Sequence, residues 1–156
     1  ITDSVKTLSD GSFTYTFSVD ELGLYKVYAR FGGNEKYYGS TSNIVGFTVK
    51  AKPSISFDVT YVEGAGLVIN GSLGLSMEDI PLKLLISFDN KTWFEYCNVT
   101  SGCLGNYSIV MNASIYGVLY IKIVTPETSV TQRSESNTSI VKLKSPVEES
   151  LRNMNI

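Results

Sequence analysis

Apolar and polar residues alternate along most of the chain, a pattern typical of β-strands that bury one face. Before residue 51 the alternation predicts three strands, at 13–19, 25–31 and 45–49, with glycine-containing turns at 32–34 and 39–40 between them. After Pro53 the pattern begins again. It predicts seven further strands, at 55–61, 67–73, 82–88, 93–99, 104–112, 118–124 and 139–143.

Seven short strands separated by regular turns favour an immunoglobulin-like β-sandwich. The sequence therefore predicts an all-β protein of tandem immunoglobulin-like β-sandwiches. The first sandwich is expected to be incomplete, because three strands with one apolar face cannot close around a core. Two interpretations stay open. The chain is a piece of a longer protein, which we favour, or a neighbouring molecule supplies the missing strands.

An internal repeat supports the tandem arrangement. Residues 10–50 align with 104–144 without a gap, at an offset of 94 residues. Identity is low, but glycines, apolar positions and a Ser-x-Ser-Asn motif keep their spacing. The matched pairs include Gly11 and Gly105, Phe13 and Tyr107, Gly23 and Gly117, Val27 and Ile121, Ser40 and Ser134, Ser42 and Ser136, Asn43 and Asn137, and Lys50 and Lys144. A repeat of this length indicates tandem domains.

These patterns predict the domain boundaries. Residues 1–50 form the C-terminal half of one sandwich, 51–53 a linker stiffened by Pro53, and 54–144 a complete sandwich. Residues 145–156 are predicted to start a helix, because Ser145-Pro146-Val147-Glu148 has the order of a capping box. Val147, Leu151 and Met154 then have the spacing of a coiled-coil seam, which amphipathic surface helices share.

The composition argues against catalysis and against nucleic acid as a partner. The chain has no histidine and a net charge of −2, so it lacks the usual general base and zinc ligand as well as a basic surface. Glu78, Asp79 and Asp89 are interpreted as loop charges, or at most as part of a calcium site. We expect no enzyme activity, no cofactor and no metal. No apolar run is long enough to span a membrane.

Six Asn-x-Ser/Thr sequons lie between residues 70 and 139 and none lies before them, whereas composition alone gives about two in the whole chain by chance. Their acceptors are Asn70, Asn90, Asn98, Asn106, Asn112 and Asn137. An N-linked glycan is bulky and hydrated, so each acceptor should face solvent and the chain should be exported. The chain begins at Ile1, which together with the sequons suggests a mature piece of something longer. Accidental sequons in Ser/Thr-rich strands are the alternative.

Cys97 and Cys103 are the only cysteines. If residues 93–107 form a hairpin with its tip near 100–102, Cys97 faces Cys103 and Trp93 faces Tyr107. This register predicts a disulfide, as suits an exported chain. It also puts Asn98, Asn106 and Asn112 together on the solvated face of the hairpin. Two free thiols beside a turn are the alternative.

Several segments resemble bacterial and archaeal Ig-like repeats. In the first half these are Asp10–Phe17, Gly23–Val27, Gly33–Asn43 and Phe47–Val49, which look like the closing half of such a repeat. The second copy resembles the family over Ser54–Lys144, most clearly at Leu82–Trp93, and departs from it at Pro126–Gln132. With dense sequons, such modules are similar to the stalk subunit of two-component archaeal surface layers, which carries a coiled coil and a membrane anchor after its sandwiches.

The resemblance implies a structural glycoprotein of the cell envelope, located outside the cell and serving as a rigid spacer of a surface layer. Expected partners are other surface-layer or filament subunits, and a homo-oligomer through neighbouring segments is expected. The alternative is an adhesin or pilus subunit whose incomplete first domain accepts a strand from its neighbour. A noncatalytic domain of a secreted enzyme is a third possibility.

Overall fold

The computed structural model describes residues 1–112, 116–145, 151, 153 and 154. The chain divides into two compact units, unit 1 (residues 1–49) and unit 2 (residues 50–156). Between residues 1 and 145, apart from 113–115, the regular elements are twelve β-strands and one 3-10 turn at Cys103–Gly105, which confirms the all-β prediction. All pairs of strands are antiparallel.

Unit 1 contains four short strands in two separate pairs. The strands are β1 (Gly23–Val27), β2 (Arg30–Phe31), β3 (Ser40–Thr41) and β4 (Val45–Val49). β1 pairs with β4, and β2 pairs with β3. The strand predicted at 13–19 is absent, although its residues alternate as expected. Nothing in unit 1 pairs with that segment, and an extended segment without a ladder partner is not a strand.

Unit 2 contains eight strands in two sheets. They are β5 (Ser56–Val62), β6 (Gly66–Ser72), β7 (Pro81–Ser87), β8 (Phe94–Thr100), β9 (Asn106–Met111), β10 (Gly117–Thr125), β11 (Ser134–Glu135) and β12 (Ser139–Leu143). One sheet has the order β5-β6-β9. The other has the order β11-β10-β7-β8, and β12 also pairs with β10.

Both sheets of unit 2 contribute to one hydrophobic core. Alternate residues of β6, β7, β9 and β10 point inward, and the most central of them are fully buried. They include Leu67, Ile69, Leu82, Leu84, Met111, Leu119, Ile121 and Ile123. Each such side chain contributes about 1.5–3 kcal/mol by leaving water. Unit 1 has no counterpart of this core, because none of residues 1–49, all of which the structure describes, is buried.

The 94-residue offset holds in the strand pairing of the two units. Gly23 pairs with Val49 in unit 1, and Gly117 pairs with Leu143 in unit 2, so each partner is displaced by 94 positions. The short pairs obey the same rule, with Arg30 opposite Thr41 and Val124 opposite Glu135. β1 to β4 are therefore the structural equivalents of the β10 to β12 region.

Residues 51–53, predicted as a linker, are hydrogen bonded within unit 2. The backbone N–H of Ala51 donates to Val130 O at 2.9 Å, and Ala51 O accepts from Gln132 N–H at 2.8 Å. Pro53 is buried, and its carbonyl accepts a 2.6 Å hydrogen bond from the Ser134 hydroxyl. Of the helix start predicted at 145–156, only Ser145, Leu151, Asn153 and Met154 are described, and the last three of these have helical backbone. No helix in the described part of the chain is long and apolar enough to cross a membrane.

The hairpin predicted at 93–107 is wrong, and with it the opposition of the two cysteines. β8 pairs with β7 and β9 pairs with β6, so the consecutive strands β8 and β9 lie in different sheets. Cys97 is opposite Leu84, while Cys103 lies in the 3-10 turn that leads from one sheet to the other. Both thiols are free, so the predicted Cys97–Cys103 disulfide is not present.

Candidate functional site

All six sequon asparagines are exposed at the surface of unit 2. Asn70 lies on β6, Asn106 begins β9 and Asn112 follows β9, so these three belong to the β5-β6-β9 sheet. Asn98 lies on β8 in the other sheet, which corrects its predicted place beside Asn106 on one hairpin face. Asn90 and Asn137 lie in loops. Ser114, the hydroxyl residue of the Asn112 sequon, is outside the described residues.

Asn70 and Asn106 are diagonal neighbours on adjacent strands. The register places Asn70 opposite Ser108, and Ser72 opposite Asn106. Diagonal neighbours on one face of a sheet are about 7–8 Å apart. Two glycans attached here would therefore leave the sheet side by side, and both would cover the same solvent-facing surface.

Tyr107 on β9 connects this strand to β5 and β6 on the buried side of the sheet. Its hydroxyl donates to Ser56 O at 2.9 Å, and its ring passes over Gly71 on β6. A Cβ at position 71 would lie 2.3 Å from the Tyr107 ring and 2.4 Å from Ser56 O, so only glycine fits there. Burial raises the pKa of Tyr107, which keeps its hydroxyl protonated as a donor.

The Asn90 sequon lies in a turn organised by Asp89. The Asp89 carboxylate accepts hydrogen bonds from the backbone N–H groups of Thr92 and Lys91 at 2.7 and 2.8 Å, and from the Ser87 hydroxyl at 2.9 Å. These bonds, led by that from Thr92, lower the pKa of Asp89 to about 2. Asn90 has a φ of 58°, a left-handed conformation that asparagine tolerates better than most residues.

The side chain of Asn98 is already hydrogen bonded on the strand surface. Its Nδ2 donates to Glu95 at 2.7 Å, and Glu95 also pairs with Lys83 at 2.7 Å. The Lys83 ammonium is the main cause of a lowered Glu95 pKa, and the Asn98 amide adds to it. A glycan on Nδ2 leaves one of the two amide hydrogens, so the bond to Glu95 remains available.

Asn137 follows the short strand β11. The Ser136 hydroxyl donates to Asn137 O at 2.8 Å, which fixes the backbone beside the acceptor. Glu135 pairs with Arg133 and, at 3.3 Å, with Lys122. Arg133 is the main cause of a lowered pKa at Glu135. The acceptor therefore sits next to an ordered, charged edge.

Each of the two thiols lies near a carboxylate. Cys97 is half-buried, and its pKa is raised mainly by burial and also by the Glu95 charge, which disfavours the thiolate. Cys103 is exposed, and its Sγ lies 3.7 Å from the Glu78 carboxylate. Among the described residues no three Cys, Asp or Glu side chains converge as metal ligands would, and Glu78, Asp79 and Asp89 are not gathered into such a group.

Unit 1 carries a cluster of aromatic side chains that the alternation did not predict, of which Tyr15 and Phe17 are exposed and Tyr25 and Phe47 half-buried. The rings of Tyr15 and Phe17 are stacked with centroids 6.1 Å apart, Phe17 lies 6.1 Å from Phe47, and Phe47 stacks on Tyr25 at 5.4 Å. We call these four residues the aromatic face. The internal repeat could have indicated this cluster, because the 94-residue offset matches Tyr15 and Phe17 with the core residues Ile109 and Met111.

The geometry thus describes two features, a sequon-bearing surface on unit 2 and an aromatic face on unit 1. Among the described residues, neither feature contains a group of His, Cys, Asp or Glu side chains that could hold a metal ion. Exposed apolar patches like the aromatic face are often sites of contact with other proteins. Neither a protein-family model nor a curated protein matches this chain.

Proposed function

We propose that this chain is a structural glycoprotein of the cell envelope, a non-enzymatic spacer located outside the cell. The observation that carries the proposal is the exposure of all six sequon asparagines. A sequon can be used only where its asparagine reaches solvent, and all six asparagines meet this requirement. None of these six points into the core of unit 2.

The fold class we propose is a tandem of immunoglobulin-like β-sandwiches, of which unit 2 is the complete one. Its eight strands lie in two antiparallel sheets that share one core. The repeated register at 94 residues supports a second module of the same type in unit 1. The resemblance to Ig-like repeats of bacteria and archaea, and to the stalk subunit of two-component surface layers, is the basis for the proposed location and for other surface-layer subunits as partners.

Glycans would serve such a spacer by protecting sheet edges. β8 is an edge strand, and an exposed edge offers unpaired N–H and C=O groups to other chains. Asn98 lies on β8, and Glu95 and Lys83 form an ion pair beside it. A hydrated glycan at this position would oppose pairing between two copies through their β8 edges.

Intact-mass measurement of the protein from its native source tests the proposal. Residues 1–156 alone have a mass of 17.1 kDa. Whatever the length of the native chain, glycosylation predicts that its mass falls on enzymatic or chemical deglycosylation. Changing each acceptor to glutamine, as in Asn98→Gln, should remove one glycan mass. The matched control is Asn43→Gln, which lies outside any sequon and should leave the mass increment unchanged. An unmodified native mass would show that the proposal is wrong.

A second candidate function is that of a filament or adhesin subunit that assembles by strand donation. The observation in its favour is that unit 1, unlike unit 2, has no buried residue. Size-exclusion chromatography with light scattering over a range of protein concentrations tests it. Assembly predicts higher oligomers at higher concentration, whereas a monomer throughout argues for the spacer alone.

A further inference from the structure

The sequons of unit 2 differ in whether their backbone belongs to the middle of a sheet. Asn70, Gly71 and Ser72 all lie on β6, the central strand of the β5-β6-β9 sheet. The register places Asn70 opposite Asp58 on β5 and opposite Ser108 on β9. Among the sequons whose three residues the structure describes, this is the only one on a strand with a neighbour on each side.

Only the outer surface of the Asn70 sequon faces solvent. Asn70 is exposed, whereas Gly71 and Ser72 are half-buried. The Tyr107 ring lies against Gly71 on the inner side of the sheet. The Ser72 hydroxyl, which completes the sequon, accepts a 3.1 Å hydrogen bond from Gly74 N–H. The backbone and the hydroxyl of this sequon are therefore already engaged within the folded unit.

Transfer of a glycan requires more than an exposed amide. The asparagine Nδ2 atom attacks C1 of the first sugar of a lipid-phosphate-linked oligosaccharide. The N–C1 bond forms, the C1–O bond breaks, the lipid phosphate leaves with the bonding electrons, and one amide proton passes to a base of the enzyme. An amide nitrogen is a weak nucleophile because its lone pair is delocalised into the carbonyl. The transferase must therefore enclose the amide and hold the hydroxyl two residues further on.

The folded sheet leaves no room around Asn70 for the walls of such a pocket. Neighbouring strands lie about 4.8 Å apart, so Asp58 and Ser108 flank Asn70 on both sides. The tripeptide cannot turn toward an enzyme without breaking its ladders to β5 and β9. The inner side chains of the same strand, Leu67 and Ile69, are buried in the core. Freeing this sequon therefore amounts to unfolding unit 2.

The Asn90 sequon is the opposite case. Asn90, Lys91 and Thr92 are all exposed and lie between β7 and β8, outside any strand. Their hydrogen bonds are local, because the N–H groups of Lys91 and Thr92 both donate to the Asp89 carboxylate. Opening this turn leaves both sheets intact, and loops open at a much lower free energy than core strands.

We propose that Asn70 is glycosylated only before unit 2 folds, whereas Asn90 stays open to the transferase afterwards. The inference rests on the proposed function and adds the order of two steps, since transfer to Asn70 precedes formation of the β5-β6-β9 sheet. The sheet then carries the finished glycan on its outer face, because the Asn70 side chain points to solvent. A chain that folds first keeps Asn70 unmodified for as long as unit 2 stays folded.

Transfer to the folded chain in vitro tests this order. The full 156-residue chain, made in a host without N-glycosylation, is incubated with a purified oligosaccharyltransferase that accepts Asn-x-Ser/Thr and with its lipid-linked donor. Peptides of residues 66–76 and 86–96 are the unfolded references, and mass spectrometry gives the initial rate at each site. Relative to its own peptide, Asn70 should be modified at least about a thousandfold more slowly, as the small unfolded fraction of an ordinary domain implies. The slowing at Asn90 should be at least about a hundredfold smaller.

The variant Ile121→Val separates global unfolding from local opening. Ile121 is fully buried on β10, in the other sheet, and the loss of one methyl group should raise the unfolding equilibrium constant about two- to tenfold. The rate at Asn70 should rise by the factor measured for that constant, and the rate at Asn90 should not change. The matched control is Ile140→Val, which is exposed on β12 and should change neither rate.

Two results would overturn the inference and leave the proposed function standing. One is an Asn70 that is slowed no more than Asn90 in the folded chain. The other is a slow rate at Asn70 that does not follow the unfolding constant across the variants, since β6 would then open locally. A native protein without glycans would instead contradict the proposed function, and it would not alter the rates measured in vitro.

Discussion

Ser42 and Ser136 lie 94 residues apart and make the same hydrogen bonds in the two units. The Ser42 hydroxyl accepts from Ala29 N–H at 2.9 Å and donates to Asn43 O at 2.8 Å. The Ser136 hydroxyl accepts from Ile123 N–H at 2.9 Å and donates to Asn137 O at 2.8 Å. The weak sequence repeat therefore corresponds to a repeated local structure, down to one side-chain bridge between neighbouring strands.

Removing these two hydroxyls should have different effects on stability. Ser136→Ala leaves Ile123 N–H without its acceptor next to the core, and an unsatisfied buried donor costs about 1–3 kcal/mol. Ser42→Ala exposes Ala29 N–H to water, so we expect a change within about 0.5 kcal/mol. Residue-resolved amide hydrogen exchange in urea measures the stability of both units, whereas the fluorescence of Trp93, the single tryptophan, reports on unit 2 alone. Equal losses of unfolding free energy in the two variants would contradict the expected effect of the greater burial of Ile123 N–H compared with Ala29 N–H.

Gly71→Ala should destabilise unit 2 strongly. The new methyl group would overlap both the Tyr107 ring and Ser56 O, and overpacking of this kind costs about 1–3 kcal/mol. The matched control is Gly102→Ala, whose Cβ would lie 3.7 Å from Asn106 O, an ordinary contact. Urea denaturation of both variants checks the prediction, and a Gly71→Ala variant as stable as Gly102→Ala would refute it.

The strands of unit 2 were predictable from the sequence, and their partners were not. Alternation located β5 to β10 within about two residues, because one face of each strand is buried. The two-residue strands β2, β3 and β11 are too short to show a period. Alternation also predicted a strand at 13–19, where the aromatic residues are present but the structure provides no neighbouring strand.

The error in the cysteine pairing has the same origin. A period of two shows which residues share a face of one strand, but it does not show which strand lies beside it. The sequence of 93–107 is compatible with a hairpin, yet β8 pairs with β7 and β9 pairs with β6, in separate sheets. The exposure of the sequon asparagines, in contrast, can be predicted from the face of the strand on which each residue lies, without knowing which strand is its neighbour.

Thr125→Val should stabilise unit 2. Thr125 is fully buried on β10, and its hydroxyl is the one buried side-chain polar atom without a hydrogen bond among the described residues. Valine has nearly the same shape and no polar group that loses water on folding, so the free energy of unfolding should rise by about 1 kcal/mol. The control is Thr131→Val. Thr131 is equally buried, and its hydroxyl is hydrogen bonded to Thr128 Oγ1 at 2.8 Å. Removing this bond should lower the free energy of unfolding by about 1 kcal/mol. A loss in both variants would show that the Thr125 hydroxyl is satisfied in solution.

The turn around Asn90 should make stability depend on pH. Asp89 has a pKa of about 2 in the folded chain, below its ordinary value of 3.8, chiefly because its carboxylate accepts the Thr92 and Lys91 N–H groups. A group whose pKa is lowered on folding contributes stability above its unfolded pKa and loses that contribution as pH falls from about 4 to 2. Asp89→Ala should therefore be less stable than the wild type at pH 7, with a difference that narrows below pH 4.

The matched variant Asp89→Asn separates charge from hydrogen bonding. Its amide oxygen can still accept from Thr92 and Lys91, but it does not titrate. We expect its stability at pH 7 to lie between that of the wild type and that of Asp89→Ala, and its difference from Asp89→Ala to stay constant with pH. Urea denaturation at pH 7, 4, 3 and 2.5 measures all three proteins. The prediction fails if the difference in free energy of unfolding between wild type and Asp89→Ala is the same at all four pH values. The turn would then not stabilise the charged form of the Asp89 carboxylate.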